Sequence, residues 1–230
     1  MSHTAFGPKN YWRMFKARGF LYPLAYFLQV RWFDISRNVD THLWVPKKSE
    51  SQGIPNSEHG VIYMASRTSD IKKSFAIARQ ILGERFGSFN FIDIGSGKGK
   101  VVLLWLELCR KSGLKQKVQG IDYSKDLVEI ASANFASMFK KSPDEVFICG
   151  DASDLNPTKY TDDLILYLFN PFDGVLMRKL IENLQFKRVL VIYTNQKHFN
   201  VFIENGFFEV RKLENRWLGP EFDVVFLRNF

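Results

Sequence analysis

Two cysteines in 230 residues are too few for a disulfide framework, and they form no CxxC pair. Cys109 falls in an expected helix and Cys149 in an expected strand, both within apolar sequence, so both read as buried free thiols of a reducing compartment. The four histidines, His3, His42, His59 and His198, are scattered, and no HExxH motif occurs. A metal site is therefore not expected. Long apolar runs are missing too. The most hydrophobic N-terminal stretch, Phe20 to Phe33, is interrupted by Pro23, Gln29 and Arg31 and is too short for a bilayer. It lies too far from Met1, and lacks an A-x-A-like cleavage site, to read as a signal peptide, which makes a cytoplasmic protein the expectation. Internal repeats and low-complexity segments are absent, and the sequence contains no GK[ST] of a Walker phosphate loop.

Aromatic residues, by contrast, are abundant at 15%, with 22 Phe, and the formal net charge is +8. The positive balance makes polyanions plausible partners, although the charge is spread along the chain rather than blocked into a tail. Residues 9 to 37 interleave Lys9, Arg13, Lys16, Arg18, Arg31 and Arg37 with Tyr11, Trp12, Phe15, Phe20, Tyr22, Tyr26, Phe27, Trp32 and Phe33. This pattern predicts one or two helices broken near Gly19 and Pro23. The stretch from Pro46 to Gly60 is polar, with two glycines, and reads as a linker or mobile loop. We therefore expect an N-terminal helical extension over 1–60, acting as a lid or docking segment, and a catalytic domain over 61–230.

From Ser69 onward the apolar period alternates between helix and strand, the mark of βαβ units and a parallel sheet. A helix over 69–82 precedes a strand from Phe89 to Ile94, and a helix buried nearly all round follows from Val101. Val118 to Ile121 is the next strand, ending at Asp122, and an amphipathic helix starts near Ser124. Further strands are expected at 146–149, 164–169 and 189–194, with a helix carrying Leu176, Leu180 and Leu184 between the last two. A short helix over 197–205 closes at Gly206, with His198 a surface or helix-start residue. Two final strands lie at 207–213 and 222–227.

The chemistry gathers where strands end. Asp93-Ile94-Gly95-Ser96-Gly97-Lys98-Gly99 is a glycine-rich turn between strand and helix, which lets backbone approach a ligand and aims helix amides at it. With Lys100 next, the GxGxxG dinucleotide register is broken. Asp93, two residues before the first glycine, can take a cationic ammonium directly or through water, which suits an amino-acid moiety better than a pyrophosphate. Asp122, at the end of the second strand, stands where an acidic residue accepts ribose hydroxyls in doubly wound folds, or else caps the helix beside Ser124. Asp151, with Ala152 nearby, could accept from an adenine amino group or serve as an ordinary turn aspartate. Asn170-Pro171-Phe172 ends the fourth strand beside the ligand crevice. There an Asn oxygen can accept from an attacking amine and steer its lone pair, while Pro fixes the backbone and Phe flanks the acceptor. Tyr63, Ser66 and Thr68 could close over the ligand from the N-terminal side.

Taken together, FIDIGSGKGK, GIDYS, CGDASDL and YLFNPF resemble motif I, the acidic second motif, the adenine-side motif and motif IV of class I S-adenosylmethionine-dependent methyltransferases, over residues 69 to 230. More narrowly, the chain is similar to uncharacterised bacterial members that combine an N-terminal helical extension, an FDxxxxVDT-like segment (Phe33 to Thr41) and an NPF motif. The resemblance implies an α/β, Rossmann-like, seven-stranded sheet with helices on both faces. It also implies S-adenosyl-L-methionine as cofactor, held by Asp93, Gly95, Ser96, Gly97, Gly99, Asp122, Tyr123, Asp151, Ala152 and Asn170, with Asn170, Pro171 and Phe172 at the reaction. Motif I is similar to that of one class of histone-lysine methyltransferases and of related bacterial and mitochondrial protein-lysine methyltransferases, so a protein acceptor is favoured. The sequence departs from these after the fourth strand. Nucleic-acid amino-methylating enzymes carry [DNS]-P-P-[YFW], whose second proline is missing here. No cysteine follows Pro171, which argues against Cys-mediated pyrimidine C5 chemistry.

Overall fold

The computed structural model describes residues 8–42, 65–155, 160, 163–171, 173–184, 187–215 and 222–230. The expected linker at 46–60, Tyr63 and Phe172 lie outside the described residues. The strands are β1 (Asn90–Ile94), β2 (Val118–Asp122), β3 (Phe147–Cys149), β4 (Leu164–Phe169), β5 (Val189–Thr194), β6 (Phe208–Leu213) and β7 (Val224–Arg228). They form a seven-stranded sheet in the order β3-β2-β1-β4-β5-β7-β6. Strands β1 to β5 run parallel, and β7 inserts antiparallel between β5 and β6. Strand order reverses between β1 and β4, so the crevice of a doubly wound sheet opens where the glycine loop leaves β1.

The helices are α1 (Pro8–Arg18), α2 (Leu21–Tyr26), α3 (Trp32–Arg37), α4 (Thr68–Leu82), α5 (Lys100–Lys111), α6 (Lys125–Phe139), α7 (Gly174–Asn183) and α8 (Phe199–Glu204). No helix among the described residues is long and apolar enough to cross a membrane. The unbroken apolar runs of β4 and β5 follow from cover on both faces. Ile92, Leu166, Leu168, Val191 and Tyr193 pack on one side with Leu176, Leu180 and Phe202 of α7 and α8. On the other side Phe91, Ile165, Leu190 and Ile192 pack with Phe75, Leu104 and Trp105 of α4 and α5. Phe91 stacks on Trp105 with ring centroids 3.9 Å apart, and the indole N–H finds its acceptor in Gln116 Oε1 at 2.7 Å, as a buried Trp requires.

Two sequence expectations are corrected. Cys149 is exposed, not buried, because β3 is a three-residue strand at the sheet edge whose other residues are also only partly covered. Pro23 does not break the N-terminal helices: it is the third residue of α2, where its missing N–H would have had no intrahelical partner. The break falls at Gly19, with φ +77°. A π-helical turn, Phe27–Arg31, then joins α2 to α3.

Candidate functional site

The crevice is organised around the turn from β1 to α5. Gly95, Gly97 and Gly99 take φ of +73°, +53° and +83°, a backbone region that Cβ-bearing residues pay strain to enter. A Cβ at Gly95 would stand 2.8 Å from Pro171 Cβ. Motif IV therefore packs directly on the glycine loop, and only glycine leaves room. The loop is fastened from below by β2: the amides of Gly95 and Ser96 both donate to Ile121 O at 2.9 Å. The Ser96 side chain lies against bare Gly120, 2.8 Å from where a Cβ there would sit, and its buried Oγ has no partner.

Asp122 is buried and engaged at both oxygens, accepting from Gly97 N at 2.7 Å and Ser124 N at 2.9 Å. Burial lifts its pKa to about 6 against the pull of those two amides. The helix cap is Ser124 itself, whose Oγ accepts from Leu127 N. Asp122 thus fixes the register of loop on strand, and it keeps spare lone pairs, since a carboxylate offers about four. Tyr123 follows it, half-buried. Asp151 caps the 3-10 turn Ala152–Asp154 by accepting from Ser153 N at 2.8 Å. Register brings this turn beside Asp122, because Asp122 pairs with Cys149 and accepts from Gly150 N through its carbonyl.

Asp93 is 3% exposed, and no described residue donates a hydrogen bond to its carboxylate. Burial first, then the neighbouring Asp122, raises its pKa well above the usual carboxylate range. Asn170, 2% exposed, has φ +42°, a conformation Asn tolerates better than most residues. Its Oδ1 is buried without a donor, which costs roughly 1–3 kcal/mol unless a ligand supplies one. The donor set fits the sulfonium cofactor. A buried acid is complementary to an ammonium and would repel phosphate, and the glycines let Pro171 and Phe147 pack against the loop where a Cβ would not.

Sequence reasoning missed the cations of the loop. Lys98 is fully buried and donates to Asp40 Oδ2 at 2.8 Å. Lys100, 2% exposed, donates to Gln29 O at 2.9 Å and lies 5.2 Å above the Phe33 ring. Burial pulls its pKa down to about 7, more than Asp34 and Asp70 push it up. Asn134 of α6 accepts from Asp40 N at 2.8 Å and donates to the carbonyls of Asp40 and Lys98. The segment that supplies these partners is itself knotted by Asp34, which accepts from Thr41 N, Thr41 Oγ1, His42 N and His42 Nδ1. Burial would raise the Asp34 pKa, but the His42 and Thr41 hydrogen bonds hold it low. Asp34, Asp40 and His42 bring ligand atoms within 4.8 Å of one another. However, Asp34 and His42 bond each other, and His42 Nε2 faces Arg31 Nη1 at 2.8 Å. The VDT of residues 39–41 was the signal that could have pointed to this latch.

A mixed sheet of this order, with its glycine loop at the switch point, is the architecture of class I methyltransferases. The chain belongs to the methyltransferase-domain family, which it matches over residues 87–219. The fold is similar to magnesium protoporphyrin IX methyltransferase from Synechocystis, solved with bound S-adenosylmethionine: TM-score 0.50, 13% identity, covering 70% of this chain and 79% of that one. It is also similar to the PH0226 protein of Pyrococcus horikoshii, with TM-score 0.50, 13% identity and coverage of 79% and 98%. The methyltransferase domain of bacterial CtHen1-CN likewise gives TM-score 0.50 at 13% identity, covering 70% and 97%. No curated protein matches the sequence.

Proposed function

We propose that this methyltransferase moves the methyl group of S-adenosylmethionine onto an amine nitrogen, a protein lysine being the favoured acceptor. The cofactor supplies an electrophilic methyl on a sulfonium, and nitrogen attack forms the N–C bond as the C–S bond breaks, leaving S-adenosylhomocysteine and a proton for solvent. Asp93 holds the ammonium end. Gly95, Gly97 and Gly99 make the floor, with Ser96 supporting it against Gly120. Asp122, beside Tyr123, takes the ribose hydroxyls on its remaining lone pairs, and Asp151 with Ala152 borders the adenine. The observation that carries the acceptor reading is the buried, unpartnered Oδ1 of Asn170, beside Pro171 on the loop. An acceptor N–H donated to that oxygen aligns the nitrogen lone pair with the methyl carbon, and alignment is the main requirement of this transfer.

A radiolabelled-methyl screen over lysate divided into protein, RNA and small molecules identifies the acceptor class, and label in protein is the expected result. With that acceptor in hand, Asn170→Ala should slow turnover on the order of a hundredfold while calorimetric affinity for S-adenosylhomocysteine stays within a few-fold. Unchanged turnover would remove Asn170 from the reaction. Label confined to RNA would replace the protein acceptor by a nucleic-acid amino group.

A further inference from the structure

The helical stretch from α2 to α3 has two apolar faces where a surface helix needs one. Its inner face, with Val30 and Phe33, is buried and holds Lys100. On the outside Leu21, Leu24, Leu28, Trp32 and Ile35 recur at three- and four-residue spacing, and each is between 42% and 63% exposed. Phe20, at the turn before them, is 66% exposed. On α1 Trp12 and Phe15 stack at 5.3 Å, both exposed, with Lys16 over the Trp12 ring. Eight of the twelve exposed large hydrophobics among the described residues fall between Trp12 and Ile35. The charge that accompanies them has one sign. Residues 8–37 contain Lys9, Arg13, Lys16, Arg18, Arg31 and Arg37 against Asp34 alone, and Asp34 is buried and hydrogen-bonded. Arg31 and Arg37 bond His42 and Glu107, so the exposed Lys9, Arg13 and Lys16 of α1 carry the charge of the outer face.

We infer that this face docks on an anionic lipid surface. Charge complementarity calls for an anionic partner, which single-stranded nucleic acid would also satisfy. Nucleic acid stacks on aromatic rings, however, and has no use for the aliphatic row Leu21, Leu24, Leu28 and Ile35. An acyl boundary takes that row together with Trp32 at the headgroup level, while lysine and arginine meet the anionic headgroups. A second copy of the chain is disfavoured because a two-fold contact would set each cationic patch against its twin.

The test is co-sedimentation of the full chain with vesicles of phosphatidylcholine, with and without phosphatidylserine. Binding to the anionic vesicles, weakening with salt, and little binding to the neutral ones are the expected results. Replacing Leu24, Leu28 and Trp32 by Glu should cut the partition coefficient on the order of a hundredfold. Because these side chains are exposed, the variant should bind S-adenosylhomocysteine like the parent, which shows that it is folded. Charge reversal at Lys9, Arg13 and Lys16 should abolish the preference for anionic vesicles and leave a weak common background. The inference is overturned if neither vesicle is bound, or if the triple-Glu variant partitions like the parent. It is equally overturned if sedimentation equilibrium shows a dimer that the triple-Glu variant disperses, or if single-stranded RNA binds through the same residues while vesicles do not.

Discussion

Lys100 carries a charge into the protein core, and the energetic consequence is large enough to measure. Its pKa falls from 10.5 to about 7 as burial disfavours the ammonium, a gap of roughly 3.5 units or about 5 kcal/mol at ~1.4 kcal/mol per unit. The unfolded chain holds this proton up to the higher pKa and the folded chain only to the lower one. Between them the unfolded state binds more protons, so stability falls as pH drops through this window and the full loss is present below it. Lys100→Met keeps the length and apolar stem and removes the charge. Gln29 O, the acceptor of the ammonium, still receives Thr68 Oγ1 at 2.7 Å, so no carbonyl is orphaned. The lost bond and the contact with Phe33 together cost about 1–2 kcal/mol. The variant should therefore be more stable than the parent below neutrality, by up to about 4 kcal/mol, with the advantage vanishing in alkali. Urea unfolding of both proteins at several pH values measures this, and the parent should gain about 2 kcal/mol on the variant between about pH 7 and about pH 9. Asp34, Asp70 and Arg37, which also act on Lys100, are common to both proteins and largely cancel in the difference. Parallel stability profiles, or a variant weaker at every pH, would refute a desolvated ammonium at this position.

The raised pKa of Asp93 makes cofactor capture proton-linked: an ammonium lowers that pKa, so affinity for S-adenosylhomocysteine should rise with pH and binding should release protons. Calorimetry in buffers of different ionisation enthalpy reads the release, and identical heats would show Asp93 already charged in the free protein. Gly95→Ala adds a Cβ 2.8 Å from Pro171 Cβ at φ +73°; a loss of roughly 2–4 kcal/mol in stability and at least tenfold weaker cofactor binding are expected in urea titration and calorimetry. Asn134→Ala removes three hydrogen bonds of α6, two to Asp40 and one to the carbonyl of Lys98 on the glycine loop. It should cost about 2–4 kcal/mol and expose residues 29–42 to limited proteolysis before the sheet domain is cut.

The central strands were legible because both faces of each are covered: LILYLF and VLVIYT read as buried strands once a glycine turn and helix separate them from β1. The glycine loop was legible because its demands are local, needing φ above zero and a strand before it. Cys149 misled because apolar neighbours signal burial only where a sheet covers both faces, and a sequence does not say which strand lies at the edge. Lys98 and Lys100 were missed for a different reason. Their acceptors, Asp40 and Gln29, lie 58 and 71 residues earlier, and nothing within a local window distinguishes a solvated loop lysine from one drawn into a core. The same distance hid the docking of the N-terminal segment, since its inner face was readable as apolar but its partner was not.

The departures from ordinary folding rules are not scattered. A buried Asp93 beside a buried Asp122, an Asn170 in the left-handed region with an unmet acceptor, and two buried lysines all surround one turn, at the carboxyl ends of β1, β2 and β4. Each is costly by itself. They persist because the apolar layers on the two faces of the sheet over-determine where those strand ends lie, leaving the loop no freedom to relax the strain. A cation brought to Asp93 and a donor brought to Asn170 would each lift one of these costs. A ligand carrying both an ammonium and a transferable methyl, together with an amine acceptor, would on the proposed reading meet both. Consistency across the rest of the chain makes the inconsistency at this turn informative. The N-terminal latch belongs to the same balance, since Lys98 and Lys100 tie the loop to a segment whose opposite face is left for a surface outside the protein.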